Sequence, residues 1–137
     1  MASIHRQVTI DSKPDHVWAA VRDFGAVERL VPGFVIDCRL EAHEDGDARV
    51  VTFADGRVAR ELLVDLDDMR RRLVYAEPSG RFITRSASVQ VLAEGESSSR
   101  LVWIIDLLPN ELAGLIAGNM DKATAIMKQT LEASGRR

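Results

Sequence analysis

Between Phe34 and about Leu108 the chain reads with a period of two and is broken by turn signals at "EDGD", "ADG", "DLDD", "EPSG" and "EGESSS". Side chains two apart share one face of a strand, and short acidic or glycine-bearing turns join antiparallel neighbours. The segment is thereby restricted to hairpin-connected strands, expected at about 34–43, 48–54, 57–65, 71–77, 81–93 and 99–108. The β-prone "SIHRQVTI" at 3–10 adds a seventh strand to an antiparallel meander.

Helical spacing appears on either side of this block. In "DSKPDHVWAAVRDF", Ser12 is placed to cap a helix and Pro14 suits its first turn, while Val17, Ala20, Val21 and Phe24 recur on one face. Gly25 ends that helix, and "AVERLVPGF" predicts a second, short one that stops before Pro32, because the residue preceding proline is pushed out of the helical region. After Pro109, the run "NELAGLIAGNMDKATAIMKQTLEA" sets Leu112, Leu115, Ile116, Met120, Ala123, Met127 and Leu131 along one stripe. Gly114 and Gly118 weaken its first half by up to about 1 kcal/mol each relative to alanine. The sheet is the one large apolar surface available to that stripe, so the long helix is expected across the sheet's concave face. The closing "ASGRR" is expected to form a frayed tail, at about 135–137.

With 137 residues, 46% hydrophobic and 28% charged, the chain suits one α+β domain spanning 1–137. The formal net charge of -3 argues against a phosphate-binding face, since nucleic-acid affinity rests on clustered Lys and Arg. The arginines of "MRRRL" are balanced by the acids of "DLDD". A lone Cys38 and the lack of a charged-then-apolar leader lead to the expectation of a reducing cytoplasm. No apolar run approaches the roughly 18 to 20 residues that span a bilayer. His5, His16 and His43 stand apart, without the spacing of a zinc cage, and neither a Gly-x-Ser-x-Gly elbow nor a glycine-rich phosphate loop occurs. Neither metal nor cofactor is expected.

The order of elements, with "DHVWAAVRDFGAVERLVPGF" near the start and "DGRVARELLVDLDDMRRRLVYAEPSG" in the middle, resembles the START/Bet v 1-like superfamily. More closely, it is similar to the bacterial polyketide cyclase/dehydrase and lipid-transport family, to which plant abscisic-acid receptors are distantly similar. The most specific part of the resemblance is a G-x-x-v-x-E-x-L run followed by an acidic turn, a basic strand and an aromatic. Here these are Gly56, Val58 (one position nearer), Glu61, Leu63, "DLDD", "RRRL" and Tyr75. The resemblance covers nearly the whole chain and implies the helix-grip fold, a curved antiparallel sheet wrapped around the long helix with a cavity between. Because the superfamily includes cyclases, lipid carriers and hormone receptors, it implies an architecture rather than an activity.

In the receptor-like relatives the matching glutamate faces the ligand. If Glu61 does so here, Ala59 and Leu63 share its face, and Arg60, Leu62 and Val64 take the other. A buried carboxylate is costly unless protonated or paired. The expected partner is Arg85, because in "RFITRSASVQV" the residues Ile83, Ala87, Val89 and Val91 on its face are apolar, and an arginine among them is the odd one out. Either this is a structural bridge at the rim of the sheet or both groups meet a ligand.

Tyr75, Trp103, Met120, Ala123 and Met127 are candidates to line the cavity as well as fill the core, and Asn119, at the edge of the helix stripe, to offer a hydrogen bond. Arg49, where relatives carry "G-x-x-R", and Arg6 read chiefly as solvated or snorkelling strand residues. Asp37 either enters the pocket or faces water, and Cys38 reads as an inert strand cysteine.

Three readings follow. The first is a carrier or sensor that binds a small, mostly apolar, polyketide- or lipid-like molecule. The second is a cyclase or dehydratase with Glu61 as general acid or base and Arg85 anchoring an oxygen. The third is an interaction module with a collapsed cavity, for instance a homodimer through "PSGRF". That segment matches a gate loop of the receptor-like relatives but carries Gly80 where their histidine falls.

Overall fold

The computed structural model describes residues 1–44, 46–78 and 81–135. Strand β1 (Ala2–Ile10) leads into α1 (Pro14–Val21), a single 3-10 turn (Phe24–Ala26) and α2 (Val27–Leu30). Six strands follow: β2 (Val35–His43), β3 (Gly46–Phe53), β4 (Val58–Asp67), β5 (Arg72–Ala76), β6 (Thr84–Ala93) and β7 (Ser99–Leu108). A 3-10 turn (Asn110–Leu112) then opens α3 (Ala113–Gly135). The strands form one open antiparallel sheet in the order β1-β7-β6-β5-β4-β3-β2, the seven-stranded α+β arrangement expected from the sequence.

The tight β3–β4 turn depends on Gly56, whose φ of 93° lies in the left-handed region that side chains avoid. This "ADG" turn fixes the register that follows, with Arg49 opposite Glu61 and Val51 opposite Ala59. A bulge between Leu63 and Asp65 shifts the pairing with β5, so Val64 and Asp65 both face outward before Leu66 turns back in.

Helix α3 lies over one face of the sheet and runs closest to β1. It buries Ile116, Met120, Ala123, Met127 and Leu131 against that face. Leu115 departs from the predicted stripe: it is exposed, because it projects from the first turns of α3 beyond the reach of the sheet.

Other expectations are corrected at element ends. Ser12 does not cap α1. Lys13 occupies the N-cap without a side-chain bond, and Ser12 is buried with its carbonyl accepting from Ser99 Oγ at 2.6 Å. Strand β6 begins at Thr84 rather than at 81, which leaves Ile83 at a bend with its side chain 78% exposed. Helix α3 continues through Ala133, Ser134 and Gly135, so the first part of "ASGRR" is helical, while Arg136 and Arg137 lie outside the described residues. A Cβ at Gly135 would stand 2.5 Å from Ser12 Oγ, so any larger residue there must displace the Ser12 hydroxyl.

Candidate functional site

The sheet and α3 separate towards the end that carries the β3–β4 turn, and a cavity of about 290 Å³ opens between them. Its apolar walls come from Val31 and Phe34 after α2, Val51 and Phe53 on β3, and Ile116, Met120 and Met127 on α3.

Across this lining runs one row of charge perpendicular to the strands. Arg49 on β3 pairs with Glu61 on β4; the β4–β5 register, with Leu62 opposite Ala76, brings Glu77 beside Glu61; and the Glu77 N–H donates to the Arg85 carbonyl at 3.0 Å. The order across four neighbouring strands is cation, anion, anion, cation. Arg49 Nε donates to Glu61 Oε1 at 2.8 Å, and Arg85 Nη1 donates to Glu77 Oε2 at 2.6 Å and to Glu61 Oε2 at 3.4 Å. Strict alternation selects these four for one face, and cross-strand register then sets them side by side.

Burial makes the pairing necessary. Arg49 is 5% exposed and Glu61 3%, and an unpaired charge at that depth would be strongly unfavourable. Arg49 gains further support from the Phe24 carbonyl, which accepts from its Nη1 at 3.2 Å. Its guanidinium carbon also sits 4.2 Å from the Phe24 ring centre and 4.9 Å from that of Tyr75. At the other end of the row, Arg85 lies over the Phe82 ring.

Burial pushes the Glu77 carboxyl above its ordinary value, with Arg85 pulling the other way and Glu61 adding to the rise. The Tyr75 phenol is raised chiefly by burial. For Arg85 burial acts to lower the guanidinium, but Tyr75, Glu61 and Glu77 around it more than offset this and raise it.

Of the residues singled out from sequence, Glu61, Arg85, Tyr75, Trp103, Asn119, Met120, Ala123 and Met127 all line the cavity. Ile83 does not, being exposed at the bend before β6. Leu63 is half-buried against the core beyond the cavity, and Ala87 is buried but lines a small hollow on the other side of β6 with Arg72 and Ser86. The expected Glu61–Arg85 contact is present at 3.4 Å, but the closer partner of Glu61 is Arg49.

Arg49 thus corrects the expectation of a solvated residue, and Glu77 was not singled out at all. The signal for Arg49 lay in the hairpin, since a turn centred on Asp55 sets position 49 opposite 61. Arg6 shares the inner face but ends outside the cavity, with its Nε donating to Asp121 at 2.6 Å. Asp37 faces water and pairs with Arg39. The Cys38 thiol is half-buried, points to the Phe24 carbonyl and is raised by burial. His5 is exposed, and the His16 ring nitrogen Nε2 lies 2.9 Å from Ser134 Oγ. Among the described residues no group of three or more metal-ligating side chains occurs and no helix is long and apolar enough to cross a membrane. Ser79 and Gly80 of "PSGRF" lie outside the described residues.

A curved antiparallel sheet gripping a long C-terminal helix around a cavity is the helix-grip architecture of START and Bet v 1-like proteins. The chain belongs to the polyketide cyclase/dehydrase and lipid transport family, whose model matches residues 1–133. Among solved structures it is similar to a START superfamily protein from Mycobacterium smegmatis, with 16% identity, 98% of this chain and 97% of that one covered, and a TM-score of 0.75. It is also similar to norcoclaurine synthase from Thalictrum flavum, with 20% identity, coverages of 96% and 87%, and a TM-score of 0.74. A third similar structure is the di-domain ARO/CYC protein BexL from the BE-7585A biosynthetic pathway, at 14% identity and a TM-score of 0.83, where 96% of this chain matches 47% of that one. At these identities the likeness is one of fold. No curated protein sequence matches the chain.

Proposed function

We propose that the protein binds a small, mostly apolar molecule in the cavity between the sheet and α3, as a carrier or sensor. The observation that carries this reading is the combination of a hollow of about 290 Å³, apolar on most of its wall, with a single row of charge confined to one side. Pockets that hold small molecules combine an apolar wall with a few placed polar groups, which orient the ligand. In the reading offered here Glu61 and Arg85 orient it, with Arg49 holding the Glu61 carboxylate in place. A cytoplasmic location fits the lone, unbridged Cys38.

A cyclase or dehydratase is the second reading, and the two adjoining carboxylates favour it. Glu77, with its raised value, has the character of a general acid, a role first assigned to Glu61. A collapsed interaction module is disfavoured by the open volume.

Native against denaturing mass spectrometry of the protein purified from its own source tests the first reading. A discrete small molecule released on unfolding is the expected result. If none is found, and a set of apolar probes fails to bind the isolated protein, the reading is wrong. If Glu61→Gln or Glu77→Gln abolishes turnover of a bound polyketide-like compound while leaving its affinity unchanged, the second reading replaces the first.

A further inference from the structure

The lining of the cavity is not balanced in charge. Among the described residues it includes Arg49, Arg57, Arg81 and Arg85 but two acids, Glu61 and Glu77, in a chain whose formal net charge is -3. Three of the four arginines have carboxylate partners: Arg49 with Glu61, Arg85 with Glu77, and Arg57 with Asp55 outside the lining at 2.8 Å. Arg81, exposed at the mouth, has no ion pair among the described residues. Among the described residues the surplus is therefore one positive charge, on the side of the cavity where Arg85 and Phe82 stand.

The hydrogen-bonding inventory points the same way. Two buried polar side-chain atoms of the lining have no hydrogen-bond partner among the described residues, Arg85 Nε and Trp103 Nε1. Both are obligate donors. The Arg85 side chain is nine-tenths buried, and Glu77 and Glu61 take only its Nη1, which leaves Nε free for a second acceptor. Trp103 Nε1 faces the Tyr75 hydroxyl and acts to lower its pKa, so Arg85 Nε is the donor left wholly to a ligand. No fully buried acceptor of the lining is without a partner among the described residues, while the half-buried Asn119 amide can serve as donor or acceptor. A lining whose buried, unpartnered atoms are donors and which holds one uncompensated cation fits a ligand that brings acceptors and a negative charge.

We infer that the occupant is an amphipathic monocarboxylate, with its carboxylate at Arg85 Nε and Arg81 and its apolar body against Val31, Ile116, Met120 and Met127. This rests on the cavity-binding reading above and adds the head group to it. Arginine suits the task, because its planar fork can hold the Glu77 carboxylate on one edge and present Nε to another oxygen.

The test is titration of the full chain with straight-chain probes of matched length, from hexanoic to dodecanoic acid together with the corresponding alcohols and methyl esters, followed by calorimetry at neutral pH. The acids are expected to bind at least tenfold more tightly than the alcohols or esters of the same chain. Arg85→Gln should remove that preference. Arg81→Ala, on an exposed side chain with no part in the core, should reduce it severalfold without altering the circular dichroism spectrum, so the result does not depend on Arg85→Gln folding. Alcohols or esters that bind as tightly as the acids would overturn the head-group assignment while leaving the cavity reading intact. Failure of every probe to bind would remove the cavity reading and the assignment with it.

Discussion

The two ends of the sheet face the same helix but are built on opposite principles. At the end near the start of β7, Ile10, Val17, Val91, Leu101 and Leu131 close completely, and Ile10, Val17 and Leu101 have no exposed surface. At the end near the β3–β4 turn the same faces part around a hollow, and four charged side chains replace apolar ones in one transverse row. The closed end has the character of a core sufficient to hold the fold. The open end carries buried charge that a purely structural design would avoid, since well-packed apolar residues often serve stability as well or better. That difference supports the proposal that a ligand is bound at the open end.

The contrast is broken most forcefully at the charged row. Arg49→Met leaves Glu61 buried with only the longer Arg85 contact and should cost about 3–5 kcal/mol, the scale for breaking a buried pair. Adding Glu61→Leu should recover part of the loss, because the orphaned charge goes with it. Chemical denaturation of both variants checks this, and a double variant less stable than Arg49→Met would show that the row holds the fold rather than the site.

Next in size is truncation of the closed end. Leu101→Ala, where every neighbour is already packed, should cost about 2–5 kcal/mol. Met120→Ala should cost less, although Met120 is as deeply buried, because one side of it already faces the hollow and has fewer contacts to lose. Equal losses in thermal unfolding would mean that the two ends are packed alike.

A pH profile sharpens the comparison at smaller cost. The Glu77 carboxyl is raised in the folded protein, chiefly by burial and further by Glu61, against the pull of Arg85 and Arg57. The native state therefore holds the proton to higher pH than the unfolded chain does, and between the two values it binds more protons. Stability should fall as pH rises from the ordinary glutamate value of about 4.3 through the raised one. Urea midpoints across that window should show the decline in the parent protein and a flatter profile in Glu77→Gln. An unchanged slope would assign the decline to other groups.

Legibility from the sequence follows the same division. The seven strands, both short helices and the long helix could be read from periodicity and turns, because those patterns are local. Glu61 and Arg85 could be read because each interrupts an apolar face on its own strand. Arg49 and Glu77 could not be read that way. Arg49, in the middle of β3, reads as an arginine whose long stem reaches solvent, and Glu77 just past the end of β5 resembles the first residue of a turn. Their burial depends on pairing across strands, which no single strand displays. Leu115 and Ile83 failed in the opposite direction: each fits its apolar pattern, but the pattern extends one turn or one residue beyond the surface that would cover it.

Ile83 therefore offers the smallest and most diagnostic change. Its backbone N–H donates to the Leu108 carbonyl at 2.9 Å and survives any side-chain replacement except proline, while the side chain itself projects into solvent. Ile83→Ser should alter stability by no more than about 0.5 kcal/mol, as for other exposed positions. It should also leave probe binding unchanged, in contrast to Arg85→Gln two residues away. A loss comparable to that at Leu101 would place Ile83 under cover in solution and extend β6 back towards Arg81. The open end would then be narrower than its charged row suggests, and the row would stand closer to the closed core.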